Sequence, residues 1–179
     1  MVVFGERLEL LLSGEQQVPF QLLDMIEYVE RHIETTEGLM RVPGHSAEME
    51  RCKEMLNSGQ RINYDDIELQ NKVHTVCGLI KMFIRDLPDP LLTFDRFESF
   101  IQAAKDVNES IRVILIKELI AQLPEANYNC LSRLVLFLKQ ITECAATKMN
   151  AKNLSITFGM NLMRMKEENN ELLAENTKH

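Results

Sequence analysis

The stretch VHTVCGLIKMFIRDLPDPLL, residues 73–92, decides the fold. Val73, Val76, Ile80, Phe83, Ile84 and Leu87 recur at three- and four-residue steps, the spacing that gathers side chains on one side of an α-helix. Pro88 and Pro90 end the run, because proline lacks the amide that the next turn needs. The spacing predicts a helix over 71–86 with a single buried stripe. His74, Gly78, Lys81 and Arg85 follow one another on a neighbouring face. At about 100° per residue, Lys81 and Arg85 point within about 40° of each other. Two adjacent cations repel, so the pair asks for an acidic or phosphate-bearing partner, or for an acidic neighbour within the fold. Spacing alone is met most simply by a solvated lysine and arginine bordering a core stripe.

Working outward, the same period recurs and alternating strand patterns are scarce. Val18 and Pro19 open an earlier helix in which Leu22, Ile26, Val29 and Ile33 share a face. That helix is expected to run out near Thr35, Thr36 and Gly38, so that Arg41, Pro43 and Gly44 fall in a loop. Ser46 then reads as the cap of a helix ending around 57–59. Further helices are expected over 95–104, 109–122, 125–145 and 151–158. Asn150 reads as the cap of the last of these. That places Asn153 one turn in, free to face a partner, with Leu154, Ile156 and Phe158 available to the core. The expected architecture is all-α, one domain of eight or nine helices over 1–179, with a core of about 18–164. Residues 165–179 read as a terminal helix or a frayed end anchored by Leu172 and Leu173.

Composition narrows what such a domain does. A chain of 179 residues suits one domain, since about 150 residues per domain is usual. A formal net charge of -7 argues against generic nucleic-acid binding, which rewards a basic surface. Cys52, Cys77, Cys130 and Cys144 form no CxxC pair and no cluster with His32, His45, His74 or His179, so neither a zinc site nor a disulfide framework is indicated. They read as small buried side chains. Glu6, Arg7 and Glu9 interrupt the apolar N-terminus, and no run approaches the roughly 18 apolar residues that a membrane span needs. The expected location is the cytoplasm, with any recruitment to a membrane surface coming through a partner. No P-loop, HExxH, GxSxG or GxGxxG occurs, which argues against an independent enzyme.

Five blocks in order carry a resemblance: Phe4-Gly5 with its leucine-rich sequel, Val18-Pro19, EGLMRVPG over 37–44, the 73–92 stretch, and KMNAKNLSITFGMNLM over 148–163. In this order they resemble the RhoGAP domain, the GTPase-activating module for Rho-family GTPases, over nearly the whole chain. The resemblance implies roles position by position. Arg41 falls on the arginine finger. Lys81 and Arg85 fall on the lysine and arginine that bind the GTPase and brace the finger loop. Asn153 falls on an asparagine that bonds the GTPase near its switch regions, and Asn161 matches a further asparagine of the pattern. The implied partner is a Rho/Rac/Cdc42-type small GTPase in its GTP-bound form, which brings its own GTP and Mg²⁺, so no cofactor is expected of this chain. Because the recognisable domain fills nearly all of it, the chain reads as a piece of a longer protein.

Departures accompany the match. Thr147 stands where the family usually has asparagine, and Met160 where it has proline in Phe-Gly-Pro-Asn, which removes a helix stop and bears on where Asn161 points. Met40 and Pro43 are less common choices beside the finger than phenylalanine and serine. Two other functions remain open at this level. One is a helical docking module that binds a small GTPase or another signalling protein without stimulating hydrolysis. The other is an adaptor surface built on methionine, although Met40, Met82, Met149 and Met163 are scattered as core filler would be.

Overall fold

Pro19 holds the cap position of the first long helix, with φ −55° and ψ 131°, and its carbonyl accepts the Leu22 and Leu23 amides at 3.0 and 3.1 Å. In the computed structural model, which describes residues 2–166, the regular elements are eight α-helices and two short 3-10 turns. The helices are α1 (Leu8–Leu11), α2 (Phe20–Glu30), α3 (Ser46–Asn57), α4 (Lys72–Arg85), α5 (Phe97–Ala104), α6 (Glu109–Ala121), α7 (Glu125–Glu143) and α8 (Ala151–Leu162). The 3-10 turns are Ile33–Thr35 and Ala145–Thr147. The fold is all-α and forms one domain, as the helical period requires. Leu172 and Leu173, read as anchors of a terminal segment, lie outside the described residues.

The core is organised on α4. Val76, Leu79, Ile80 and Ile84 have no exposed surface, and Phe83 and Leu87 retain almost none. α2 lies against them with Leu22, Met25, Ile26 and Val29 equally buried. Burial of each such side chain contributes about 1.5–3 kcal/mol, so this helix pair fixes the position of everything else that α4 carries. α3 crosses at Gly78, where a Cβ would collide with the Met49 sulfur. α8 packs on α4 and α7, burying Leu154 and Phe158. α7 is tied to α2 by a half-buried fork, with Arg133 Nη1 and Nη2 donating to Glu30 Oε1 and Oε2 at 2.9 and 2.7 Å. Ahead of α2, the amides of Val3 and Phe4 donate to Asn57 Oδ1 at 2.7 and 2.9 Å, and the Phe4 ring meets Phe83 edge-on at 5.8 Å.

Cys52, Cys77 and Cys130 are buried and Cys144 partly so. Burial pushes the Cys77 and Cys130 thiols up to about 12, the behaviour of inert core residues. Met40, Met82 and Met149 are also buried, so they fill the core rather than build an adaptor surface.

Four expectations are corrected. α2 stops at Glu30 instead of reaching Thr35, because the His32 amide bonds to Val29 O and the His32 imidazole Nδ1 takes the Tyr28 carbonyl at 2.8 Å. That carbonyl is the acceptor the next α-helical bond would have used. Ser46 is the first residue of α3 rather than its cap; His45 holds the cap position and sends its amide to Thr75 Oγ1 at 3.0 Å. Ile156 is 72% exposed. It follows Leu154 by two residues, about 200° around the helix, and cannot share the face of Leu154 and Phe158. α8 runs through Gly159 and Met160 to Leu162, past the expected end at 158, because methionine supplies the amide that proline lacks.

Candidate functional site

The segment from Glu37 to Gly44 leaves the 3-10 turn Ile33–Thr35 and returns to the start of α3. Gly38 opens it with φ +69°, a conformation at which a side chain is strained. The Gly38 amide donates to the Thr147 carbonyl at 2.7 Å, and its carbonyl accepts from the Arg41 and Val42 amides at 3.0 and 2.9 Å. The result is a tight turn. Met40 holds φ +68° despite its side chain. A non-glycine residue in that region costs on the order of 1–3 kcal/mol, which the surroundings must offset. They do so twice, since the Met40 side chain has no exposed surface and its carbonyl accepts from Lys81 Nζ at 2.9 Å.

Arg41, the next residue, is exposed and takes part in none of the ion pairs among the described residues. Beyond it the chain runs hard against α4. A Cβ on Gly44 would lie 2.5 Å from Thr75 Cα and 2.7 Å from His74 O, so this glycine is required by close approach rather than by its backbone angles. Asn71 Nδ2 donates to the Pro43 carbonyl at 3.3 Å, holding the same return.

Lys81 is half-buried, and that burial holds its ammonium below the ordinary lysine value of 10.5. It is therefore not the solvated lysine that spacing alone suggested. Arg85 is exposed and among the described residues uses only Nε internally, donating to Asp86 Oδ1 at 2.9 Å. Asp86 also accepts from Lys53 Nζ at 3.0 Å through Oδ2. The acidic neighbour that the cation pair called for thus serves Arg85, while Lys81 is satisfied by a loop carbonyl.

A cleft of about 290 Å³ lies between α4 and α8, and Lys81, Arg85 and Asn161 line it together with Pro43, Gly44 and Thr157. Asn161 Nδ2 donates back to Thr157 O at 3.1 Å, which leaves its Oδ1 the free end of the amide. Asn153 does not line this cleft. It sits in the first turn of α8, half-buried, with its amide capped by Asn150 Oδ1 at 2.9 Å as the sequence suggested. Glu37 and Lys148 pair at 2.7 Å across the foot of the loop, and that bond holds the Glu37 carboxyl below the usual carboxylate range.

Residue types and spacing did not single out Thr75 or Asn71. Thr75 is fully buried; its hydroxyl donates to Gln70 O at 2.7 Å and accepts the His45 amide. The available signal was a polar side chain inside an otherwise apolar run, beside a loop glycine. Asn71 had only its place ahead of the helix.

An all-α domain with an exposed arginine on a clamped interhelical loop, backed by a lysine and an arginine of its central helix, is the class that this site defines. Known proteins resolve the class. Residues 19–167 match the RhoGAP domain. Rho GTPase-activating protein gacJJ of Dictyostelium discoideum is 35% identical over 182 residues, which take in 98% of this chain and 20% of that protein. Rho GTPase-activating protein 25 of Mus musculus is 32% identical over 184 residues, 98% of this chain and 28% of that one. The crystal structure of human Rho GTPase activating protein 15 (ARHGAP15) superposes with a TM-score of 0.85 at 30% identity, covering 93% of this chain and 80% of the other. The chain belongs to the RhoGAP domain family. It spans about a fifth to a third of the length of such curated relatives. Among the described residues no helix is long and apolar enough to cross a membrane.

Proposed function

We propose that this chain activates GTP hydrolysis by a Rho/Rac/Cdc42-type GTPase, with Arg41 as a finger supplied in trans to the GTP-bound partner. The observation that carries the reading is the clamp on the residue before it. Met40 is held in a strained conformation by burial and by Lys81, so the backbone that carries the exposed Arg41 is fixed, while the guanidinium lies back over Gly38 and enters no ion pair among the described residues.

The chemistry is one of charge. A GTPase holding GTP and Mg²⁺ hydrolyses slowly because negative charge gathers on the transferring phosphoryl oxygens without a positioned counter-charge. Arginine suits the gap, since it stays charged, bonds two oxygens through a planar fork and sheds water more readily than an ammonium. Such a finger raises the rate by about 10³ to 10⁵, or about 4 to 7 kcal/mol of barrier. Preorganisation matters because a loop that must be ordered during encounter loses part of that gain.

The supporting residues take separate roles. Lys81 sets the loop, Arg85 offers its terminal nitrogens to the partner, and Asn153 presents its side-chain amide from the first turn of α8. Asn161 contributes through the one oxygen that its bond to Thr157 leaves free.

Single-turnover GTP cleavage by Rho-, Rac- and Cdc42-type GTPases tests the reading. Wild-type protein is expected to accelerate at least one of them by about 10³-fold or more. Arg41→Ala should abolish the acceleration while leaving the complex intact, and Arg41→Lys should fail nearly as badly. Acceleration that survives Arg41→Ala removes the finger assignment, and binding without acceleration by the wild type leaves a docking module.

A further inference from the structure

The finger loop is held at several points. Lys81 holds the Met40 carbonyl and Asn71 the Pro43 carbonyl. At its foot the Gly38 amide donates to the Thr147 carbonyl at 2.7 Å. Thr147 is fully buried and ends the 3-10 turn Ala145–Thr147 that joins α7 to α8.

Its hydroxyl organises that turn. Oγ1 lies 2.8 Å from both the Ile141 and the Cys144 carbonyls, so its one proton is shared between them, and it accepts the Met149 amide at 3.2 Å. The last turn of α7, the 3-10 turn and the entry to α8 are thereby stapled through one side chain. The next residue, Lys148, takes φ +51°, and Lys148 Nζ reaches Glu37 at 2.7 Å, one residue before Gly38. Asn150 then caps α8 and positions Asn153.

We propose that Thr147 is a positioning residue for the activating reaction: its buried hydroxyl sets the carbonyl that holds Gly38, and so places Arg41 relative to the side chain of Asn153 on α8. This rests on the activating role proposed above for Arg41. A β-branched valine fills the same volume, so the swap removes the hydroxyl's bonds without opening a cavity. What valine lacks is the proton shared with Ile141 and Cys144 and the acceptor for Met149, and without them the turn is free to shift. A displacement of about 1 Å at a catalytic group far from the altered side chain is worth up to about 10²-fold in rate.

Two measurements test it. In single-turnover hydrolysis at saturating domain, Thr147→Val is expected to lower the maximal rate about 10- to 100-fold while the half-saturating concentration changes little, and Thr147→Ser is expected to restore it. In the Arg41→Ala background, Thr147→Val should leave the affinity for the GTPase unchanged, because the turn acts through the finger. A purely structural role would instead raise the half-saturating concentration and weaken that affinity; that pattern overturns the proposal.

The second readout is amide hydrogen exchange at Gly38 in the free domain. Exchange is expected to quicken in Thr147→Val and return to the wild-type rate in Thr147→Ser. Because no GTPase is present, this answers even where the wild type stimulates none of the panel, which would sink the proposed function alone. Unchanged Gly38 exchange overturns the positioning role. Should Thr147→Val not fold, Thr147→Ala carries the same comparisons without a bulky methyl; if neither folds, the hydroxyl is a folding determinant and the proposal falls.

Discussion

Lys81 Nζ donates to the Met40 carbonyl at 2.9 Å, joining a helix in the middle of the core to the residue that precedes the exposed arginine. Its consequence is testable. Lys81→Met keeps the aliphatic stem and removes the donor, leaving a loop carbonyl unpaired. Unsatisfied buried groups cost about 1–3 kcal/mol. Urea unfolding is expected to show a loss of that order, and GTPase stimulation to fall further than stability does. Wild-type stimulation in this variant would dissociate the clamp from the finger.

Gly38 and Gly44 bracket Arg41 for different physical reasons, so alanine should fail differently at each. At Gly38 the penalty is φ +69° together with a Cβ 2.7 Å from Val42 Cγ2. At Gly44 the backbone angles are ordinary, but the Cβ would press on the backbone of α4 at Thr75. Each substitution is expected to lower stability by about 1–3 kcal/mol. Amide exchange should separate them, with Gly38→Ala loosening the turn around Arg41 and Gly44→Ala disturbing residues 74–75 of α4.

Two helix caps make an internal control. Asn150 Oδ1 accepts the Asn153 amide at 2.9 Å, and Asn108 Oδ1 accepts the Ser110 and Ile111 amides at 3.0 and 3.2 Å. Alanine at either is expected to destabilise by about 1 kcal/mol. Only Asn150→Ala should also weaken GTPase stimulation, because α8 carries Asn153 whereas α6 packs chiefly on α5. Equal effects on stimulation would remove Asn153 from the site.

Stability should decline on the acid side through His74. Burial, and then the nearby Lys81 charge, holds its imidazole below the ordinary value of 6.5, and its buried Nδ1 has no hydrogen-bond partner among the described residues. Between 6.5 and that lowered value the unfolded chain binds a proton that the folded chain does not. Stability therefore falls as pH drops below 6.5 through this window and levels off beneath it. Thermal unfolding at pH of about 7.5 and about 5.5 should show a smaller drop for His74→Gln than for the wild type. An identical drop would assign the acid sensitivity elsewhere.

Helices and stops were legible because they are local. The stripe from Val76 to Leu87 and the prolines after it needed no neighbour to be read, and α4 begins and ends within one residue of the expected 71–86. The cap at Asn150 was equally local. Errors arose where a side chain competed with the backbone, as His32 does at the end of α2. The expected end of α8 at 158 also fell short, although Met160 in place of proline already signalled a missing stop.

By itself the sequence determined an all-α chain, its helix order and a loop carrying Arg41, because period, proline and glycine act over a few residues. The matched blocks marked Lys81, Arg85, Asn153 and Asn161 as expected partner residues. Tertiary structure alone decided what holds that loop. Lys81 meets Met40 across 41 positions, and the Gly38 amide meets the carbonyl of Thr147 from the far end of the chain. Such bonds form between groups that only packing brings together, so nothing in the local spacing of either partner announces them.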